Sequence, residues 1–319
     1  MFSSRRLKRP LSFFRLFKFS LYIITTDTMR ILRLVIYPVI FTFILTSGFC
    51  QNSILWEVSG NDLPHSSFLL GTLKFIGEKE YILHEKIIDK LKVSSLFAIE
   101  DEVNHHAQHE LNKAIHFAKG QSLRDVLTTN EYKKVESLFE REFNISGKKF
   151  NKKYAKLKPL ALSITMTRLA LHEDVKFYDI ELLKLAKDLK IPTYSLEPIE
   201  REAVAFNAFP VETQATALMN SIDNFPNQKS EFEKLEEAYA NGDINSVFEY
   251  SLHPFEKNEL FIEEFYFKRN EEWLPKLEKM FSESKSFVTV GVTHLKGERG
   301  LLNLLRANGY TVTPIPVND

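Results

Sequence analysis

Apolar residues in this chain follow two rhythms. Short runs of β-branched, leucine and aromatic residues, closed by glycine or polar turns, predict strands, whereas longer stretches with apolar positions returning every three or four residues predict helices. Ile54 to Val58 and Phe68 to Leu73 are runs of the first kind; the turn-rich Ser59-Gly60-Asn61-Asp62-Leu63-Pro64 between them predicts an antiparallel hairpin. Leu83, Ile87, Ile88 and Leu91 share one helix face, and that helix leads into a strand from Leu96 to Ile99 that ends on Glu100, Asp101 and Glu102. Further helices are predicted from Thr129 to Phe143, from Pro159 to His172 and from Glu231 to Ala240. A helix from Asp179 to Lys190 runs past Pro192 into a strand from Thr193 to Leu196, which again ends on an acid, Glu197. Glu259 to Met280 reads as one long helix or as two broken near Pro275.

The last segment carries the densest pattern. Phe287 to Val290 predicts a strand, Gly291 ends it where a side chain would restrict the turn, and His294 follows. Leu301, Leu302, Leu304 and Leu305 then recur at helical spacing until Asn308-Gly309 stops the helix, and Tyr310 to Val312 opens another strand. An earlier stretch says something similar. FLLGTLKFIGE, from Phe68 to Glu78, aligns without a gap on VTVGVTHLKGE, from Val288 to Glu298. Gly71 then matches Gly291, Gly77 matches Gly297, and Lys74 stands where the second copy has His294. Glycine is scarce, eleven in the whole chain, so two matched pairs predict equivalent loops at one sheet edge, with Lys74, Glu100 and His294 facing a common cleft. The expected fold is α/β, one domain over residues 51–319, its sheet assembled from both ends of the chain and its helices from the middle.

Composition narrows the function. With 44% hydrophobic residues and 27 Phe, the 319-residue chain has ample material for a core. Its formal charge is zero, but eight of the 42 basic residues and one of the 42 acidic ones lie in the first fifty positions, which leaves 34 against 41 beyond them. An acidic remainder argues against a nucleic-acid surface, which needs clustered positive charge. Cys50 is the single cysteine, which excludes an internal disulfide and a multi-thiolate zinc site. Neither a phosphate-cradling glycine loop nor a GxSxG elbow is present.

The basic start has its own reading. From Met29, Arg30 and Arg33 precede the uncharged run Leu34 to Leu45 and then Thr46-Ser47-Gly48-Phe49-Cys50. This order suits a secretory signal. The run is shorter than the roughly 20 apolar residues of a spanning helix, so cleavage after Cys50 is expected, with Gln51 first in an exported, periplasmic or extracellular protein. Membrane contact is then confined to an uncleaved signal segment. Bulky Phe49 disfavours a lipoprotein at Cys50. Residues 1–28 read as an upstream extension or a long basic leader.

In the middle, His105, His106, His109 and His116 cluster, and the i, i+4 pair His105 and His109 has metal-ligand spacing. Without the glutamate of HExxH between them, a solvated helix face is the expectation.

Placed in order, ILWEVSG, FLLGTLKF, AIEDE, YDIELLKLAKDLKIPTYSLE, FKRNEEW and FVTVGVTHLKGERGLLNLLRANGYTVTPI resemble the TraB/GumN family, related to the TIKI proteases and to the ChaN and EreA type folds. The family pattern of two GxxH motifs, an acid after the intervening strand and an Arg-Asn pair corresponds to Gly71 with Lys74, Gly291 with His294, Glu100, and Arg269 with Asn270. The first histidine is therefore a lysine here.

The resemblance implies a mixed sheet flanked by helices. For the TIKI branch it also implies metal-dependent peptide hydrolysis, with a divalent ion such as manganese, cobalt or zinc near the motif histidines. On that pattern His294 and Glu100 are the ligands or base, and Arg269 steers a carboxylate or oxyanion. Lys74, while protonated, offers no lone pair, and an ammonium paired with Glu100 would stand where the metal belongs. Lys74→His would then restore metal affinity. Two functions stay open: an exported metal-dependent hydrolase acting on peptides or proteins, and a non-catalytic binding protein that uses the same cleft.

Overall fold

In the computed structural model, residues 52–171, 174–251 and 258–318 are described. The leader, Met29, the site after Cys50, Gln51 and the expected helix end at His172 lie outside them. The described residues fall within the unit Gln51–Asp319.

The strands are β1 (Leu55–Gly60), β2 (Ser67–Thr72), β3 (Ile76–Gly77), β4 (Leu96–Asp101), β5 (Val175–Lys176), β6 (Thr193–Glu197), β7 (Ser286–Gly291) and β8 (Tyr310–Ile315). Six of them make one mixed sheet in the order β6-β4-β7-β2-β1-β8, and β3 pairs with β5 separately. β6, β4, β7 and β2 run parallel to one another, whereas β1 is antiparallel to both β2 and β8. The expected hairpin of β1 and β2 is present. So is the joining of both chain ends, because β2 from the start lies directly beside β7 from the end. Central parallel strands are covered on both faces, which is why β2 and β7 read as nearly unbroken apolar runs. β8 lies at an edge and alternates: Tyr310 and Val312 are buried, Thr311 and Thr313 exposed.

The principal helices are α1 (Glu85–Lys92), α2 (His105–Ile115), α3 (Thr129–Phe143), α4 (Pro159–Ala170), α5 (Tyr178–Asp188), α6 (Ile199–Ala208), α7 (Val211–Asp223), α8 (Phe225–Ala240), α9 (Ile244–Ser251), α10 (Lys268–Glu283) and α11 (Leu301–Ala307). Local chemistry sets several ends. Thr128 and Glu131 form a capping box at the start of α3, Asn104 accepts from the Ala107 N–H at α2, and Pro159 opens α4. α8 begins at Phe225, ahead of the expected Glu231, with a proline in its first turn.

Only part of the helical middle covers the sheet. Ile87 and Leu91 of α1, Leu182 and Ala186 of α5, Tyr239 of α8 and Leu277 and Phe281 of α10 join the sheet core. A second apolar cluster, with Val135 and Phe139 of α3, Leu162 and Met166 of α4 and Leu218 and Ile222 of α7, packs among the helices themselves.

The segment after Glu259 is one continuous helical stretch, the first of the two expected forms, and the break near Pro275 does not occur. A short helical turn, Glu259–Ile262, passes into a π-helical turn, Glu263–Phe267, and Pro275 lies inside the continuous helix α10. Among the described residues no helix is long and apolar enough to cross a membrane.

Candidate functional site

Because β2, β4, β6 and β7 are parallel, their carboxyl ends meet at one edge, which delivers Thr72, Asp101, Glu197 and Gly291 to the same place. Asp101 and Glu197 are direct neighbours across β4 and β6. Helix α10 lies over this edge and contributes Arg269, Asn270 and Trp273, all buried.

Arg269 is the centre of the cluster. Its Nε donates to Glu197 Oε1 at 2.9 Å, and its Nη2 stands 2.8 Å from the same oxygen. Nη2 also reaches Glu100 Oε2 at 3.2 Å and lies 3.8 Å from Asp101 Oδ1. Nη1 donates to the Phe265 carbonyl at 3.2 Å, inside the π-helical turn, and lies 3.5 Å from His294 Nε2. A wide turn just ahead of two site residues is a recurrent way of aiming them. The second oxygen of Glu197 accepts the Trp273 indole N–H at 2.7 Å. Glu197 is 3% exposed, so this carboxylate is satisfied wholly by protein groups.

Glu100 accepts a short hydrogen bond from the Gly291 N–H. A Cβ on Gly291 would stand 3.2 Å from that carboxylate oxygen. The φ of Gly291 is −53°, which any residue adopts, so the sequence-based reason for this glycine is corrected: it admits a carboxylate and does not serve a glycine-only turn. Gly71 likewise allows close approach, since a Cβ there would lie 2.7 Å from Leu295 Cδ1 and 3.1 Å from Val292 Cγ2. Gly71 thus lets the loop after β7 pack against β2, whereas Gly291 makes room for Glu100. Gly297 does need its freedom, at φ +93°.

The two loops diverge beyond their strands. After β7 the chain tightens into a single 3₁₀ turn, Val292–His294, that tucks His294 inward at 2% exposure. After β2 it continues outward to β3, where the Gly77 N–H donates to Glu236 Oε1 at 2.8 Å. Lys74 therefore sits at the rim with its side chain 63% exposed, and its ion pair is with Glu202 at 3.3 Å. The expected Lys74–Glu100 pair does not form, because Glu100 is already held by Arg269 and Gly291. A relay still connects rim and floor: Lys74 to Glu202, Glu202 to Asp101, Asp101 to Arg269.

Charge at the site is arranged by burial and by these partners. Burial raises the Glu100 carboxyl, with Arg269 and the Gly291 N–H pulling the other way. Asp101 is also raised, to about 10, by burial and by Glu202, and it hydrogen-bonds Glu202, which a carboxyl donates only while protonated. Against burial, Lys74 and Arg269 hold Glu202 below its ordinary value. Glu202 in turn raises Lys74, so both stay charged. His294 is pushed well below the ordinary imidazole value by burial and by Arg269, which keeps it neutral. Behind the cluster, burial and then Glu100 raise Asp179 to about 7.

Glu202, Trp273, Tyr266 and Asp179 were missed by sequence reasoning. A signal for Glu202 existed. α6 starts just after β6 ends, so its first turn has to lie over the same edge, and Glu202 is an acid of that turn. The histidine run on α2 lies apart as solvated face: His105, His106 and His109 are exposed, His106 paired with Glu200 at 2.7 Å.

The donor set does not fit a resident divalent cation. Of the residues the resemblance assigns, His294 Nε2 and Glu100 Oε1 are 3.8 Å apart, but the Arg269 guanidinium lies against both. Lys74 adds an ammonium instead of an imidazole. Among the described residues no group of three or more His, Cys, Asp or Glu has the arrangement for a metal.

Fold and side-chain cluster together define a mixed α/β protein whose sheet edge is organised around a buried arginine and strand-end acids. The model of the TraB/PrgY/gumN family matches residues 54–314, and the chain belongs to that family. No curated protein and no solved structure matched the chain.

Proposed function

We propose that this family member is an exported protein that binds a peptide or protein ligand at the carboxyl edge of its sheet without a resident divalent metal. One observation carries the reading: the Arg269 guanidinium occupies the ground between His294 Nε2 and the carboxylates of Glu100 and Glu197. A fixed cation there already supplies the positive charge that those acids require. The mouth of the cleft, with Lys74 paired to Glu202, presents both signs of charge to a ligand. Export rests on the signal-like order of residues 29–50, and the acidic balance beyond residue 50 speaks against nucleic acid as the partner.

The second reading is a metal-dependent peptidase. It draws on His294 Nε2 lying 3.8 Å from Glu100 Oε1, and it requires Arg269 to leave its present partners. A peptide library presented to the purified chain separates the two. The proposal expects retention of a subset of peptides, uncleaved, with and without added manganese, cobalt or zinc; cleavage that depends on added metal and is lost in His294→Ala contradicts it.

A further inference from the structure

Asn270 meets His294 and its loop at three points. Its Nδ2 lies 3.1 Å from the His294 carbonyl and 2.9 Å from the Arg299 carbonyl, and its Oδ1 lies 2.7 Å from His294 Nδ1. The orientation of this amide is settled by chemistry. Two carbonyl oxygens accept and cannot donate, so the atom facing them has to be the NH2 group, whose two protons serve one each. The oxygen then faces the ring, and an amide oxygen only accepts. His294 Nδ1 therefore carries the proton.

The other side of the ring leads to the same answer independently. Nε2 faces Arg269 Nη1 at 3.5 Å, and a guanidinium nitrogen only donates. With Nε2 protonated, two N–H groups would point at each other, and with Nδ1 protonated as well an imidazolium would stand against a guanidinium. With Nε2 unprotonated, its lone pair accepts from Arg269. The ring is also held flat in place: Trp273 lies over it at 4.5 Å and Tyr266 meets it edge-on at 5.0 Å. Trp273 follows Asn270 by one helical turn on α10, so one helix face supplies both the contact that orients the ring and the surface that clamps it.

We infer that Asn270 is a positioning residue: it fixes His294 as the neutral Nδ1–H tautomer and so turns the Nε2 lone pair toward Arg269 at the floor of the cleft. The same amide ties together the carbonyls of His294 and Arg299, so the closed conformation of the loop between them and the tautomer of the ring depend on a single side chain. If the loop opened, the amide would lose the two carbonyls that orient it. A rotated amide would face Nδ1 with its NH2 and drive the proton to Nε2, which would then repel Arg269. Asn270 thereby couples the state of the Gly297 loop to the hold on Arg269. This inference stands on hydrogen-bond direction and is independent of whether the cleft binds peptide or metal.

Histidine-labelled protein and long-range nitrogen-15 NMR read the protonation of each ring nitrogen directly. The His294 signals are assigned by their loss in His294→Gln. Wild type at neutral pH is expected to show a protonated Nδ1 and an unprotonated Nε2; a protonated Nε2 overturns the inference and needs no variant to do so. Asn270→Asp keeps an acceptor oxygen beside the ring and is expected to retain the Nδ1–H form. Folded Asn270→Leu leaves Arg269 as the one group still setting the ring and is expected to show signals of both tautomers, and an unchanged, pure Nδ1–H form in that variant would overturn the role given to Asn270.

Discussion

Glu197 grips Arg269 through one oxygen, at 2.9 Å from Nε and 2.8 Å from Nη2, while its other oxygen holds the Trp273 indole. Both residues are almost wholly enclosed, Arg269 at 3% and Glu197 at 3% exposure. Removing Glu197 leaves the buried guanidinium with Glu100 as its remaining close carboxylate, and breaking a buried pair costs at most about 3–5 kcal/mol. Glu197→Ala is therefore expected to lower the urea midpoint sharply. Glu197→Gln keeps acceptor geometry without the charge and should lose less. Equal, small losses in both variants would mean that the pair contributes little to holding α10 on the sheet.

Gly71 tests the fit between the two loops. The Cβ of alanine would come within 2.7 Å of Leu295 Cδ1 and 3.2 Å of Val292 Cα. Overpacking of a filled core costs about 1–3 kcal/mol. Gly71→Ala is expected to destabilise within that range by chemical denaturation, and an unchanged midpoint would show that the loop has room to move.

Asp179 predicts a pH dependence whose sign follows from its raised pKa. The ordinary carboxyl value is 3.8 and burial moves it to about 7 in the folded chain. The folded state thus holds this proton more tightly than the unfolded state. Its contribution to stability is whole below about pH 4, falls as pH rises toward about 7, and then stays level. Thr72 Oγ1 donates to Asp179 Oδ1 at 2.8 Å and also lies 3.2 Å from the Val290 carbonyl, so Thr72 pulls against the shift without reversing it. Asp179→Asn should flatten stability between those pH values, measured as denaturation midpoints. A slope unchanged by the substitution would assign it to other groups.

Much of the fold was legible because its central strands are apolar on both faces and end at glycine or at an acid. The gapless match of Phe68 to Glu78 with Val288 to Glu298 pointed to β2 and β7, which prove to be parallel neighbours. That match overreached beyond the strands. Lys74 and His294 share an alignment column, yet one loop runs outward to β3 and the other turns inward, so the lysine is exposed and the histidine buried. Hydrogen-bond partners are tertiary facts, and no spacing rule assigns Glu100 to Arg269 instead of Lys74. The π-helical turn of Glu263–Phe267 was hidden for a related reason: it carries no proline or glycine to mark it, while Pro275, which does, leaves α10 unbroken.

The position of Arg269 also revises what Lys74→His should do. Lys74 is a rim residue whose partner is Glu202, so an imidazole there would not by itself reach the ground between His294 and Glu100. The pair is exposed on the lysine side, and such pairs contribute about 0–1 kcal/mol. Lys74→His is expected to fold like wild type and to gain no tight divalent metal site. Strong metal uptake by this variant alone would place Lys74, and not Arg269, as the residue that keeps metal out.

Calorimetric titration of the purified chain with manganese, cobalt and zinc tests the central claim most directly, because it asks whether a protein cation or a metal ion neutralises Glu100 and its neighbours. With Arg269 seated against Glu100, Glu197 and His294, no stoichiometric binding is predicted for wild type. Tight one-to-one binding of any of these ions, abolished by His294→Ala, would contradict the account.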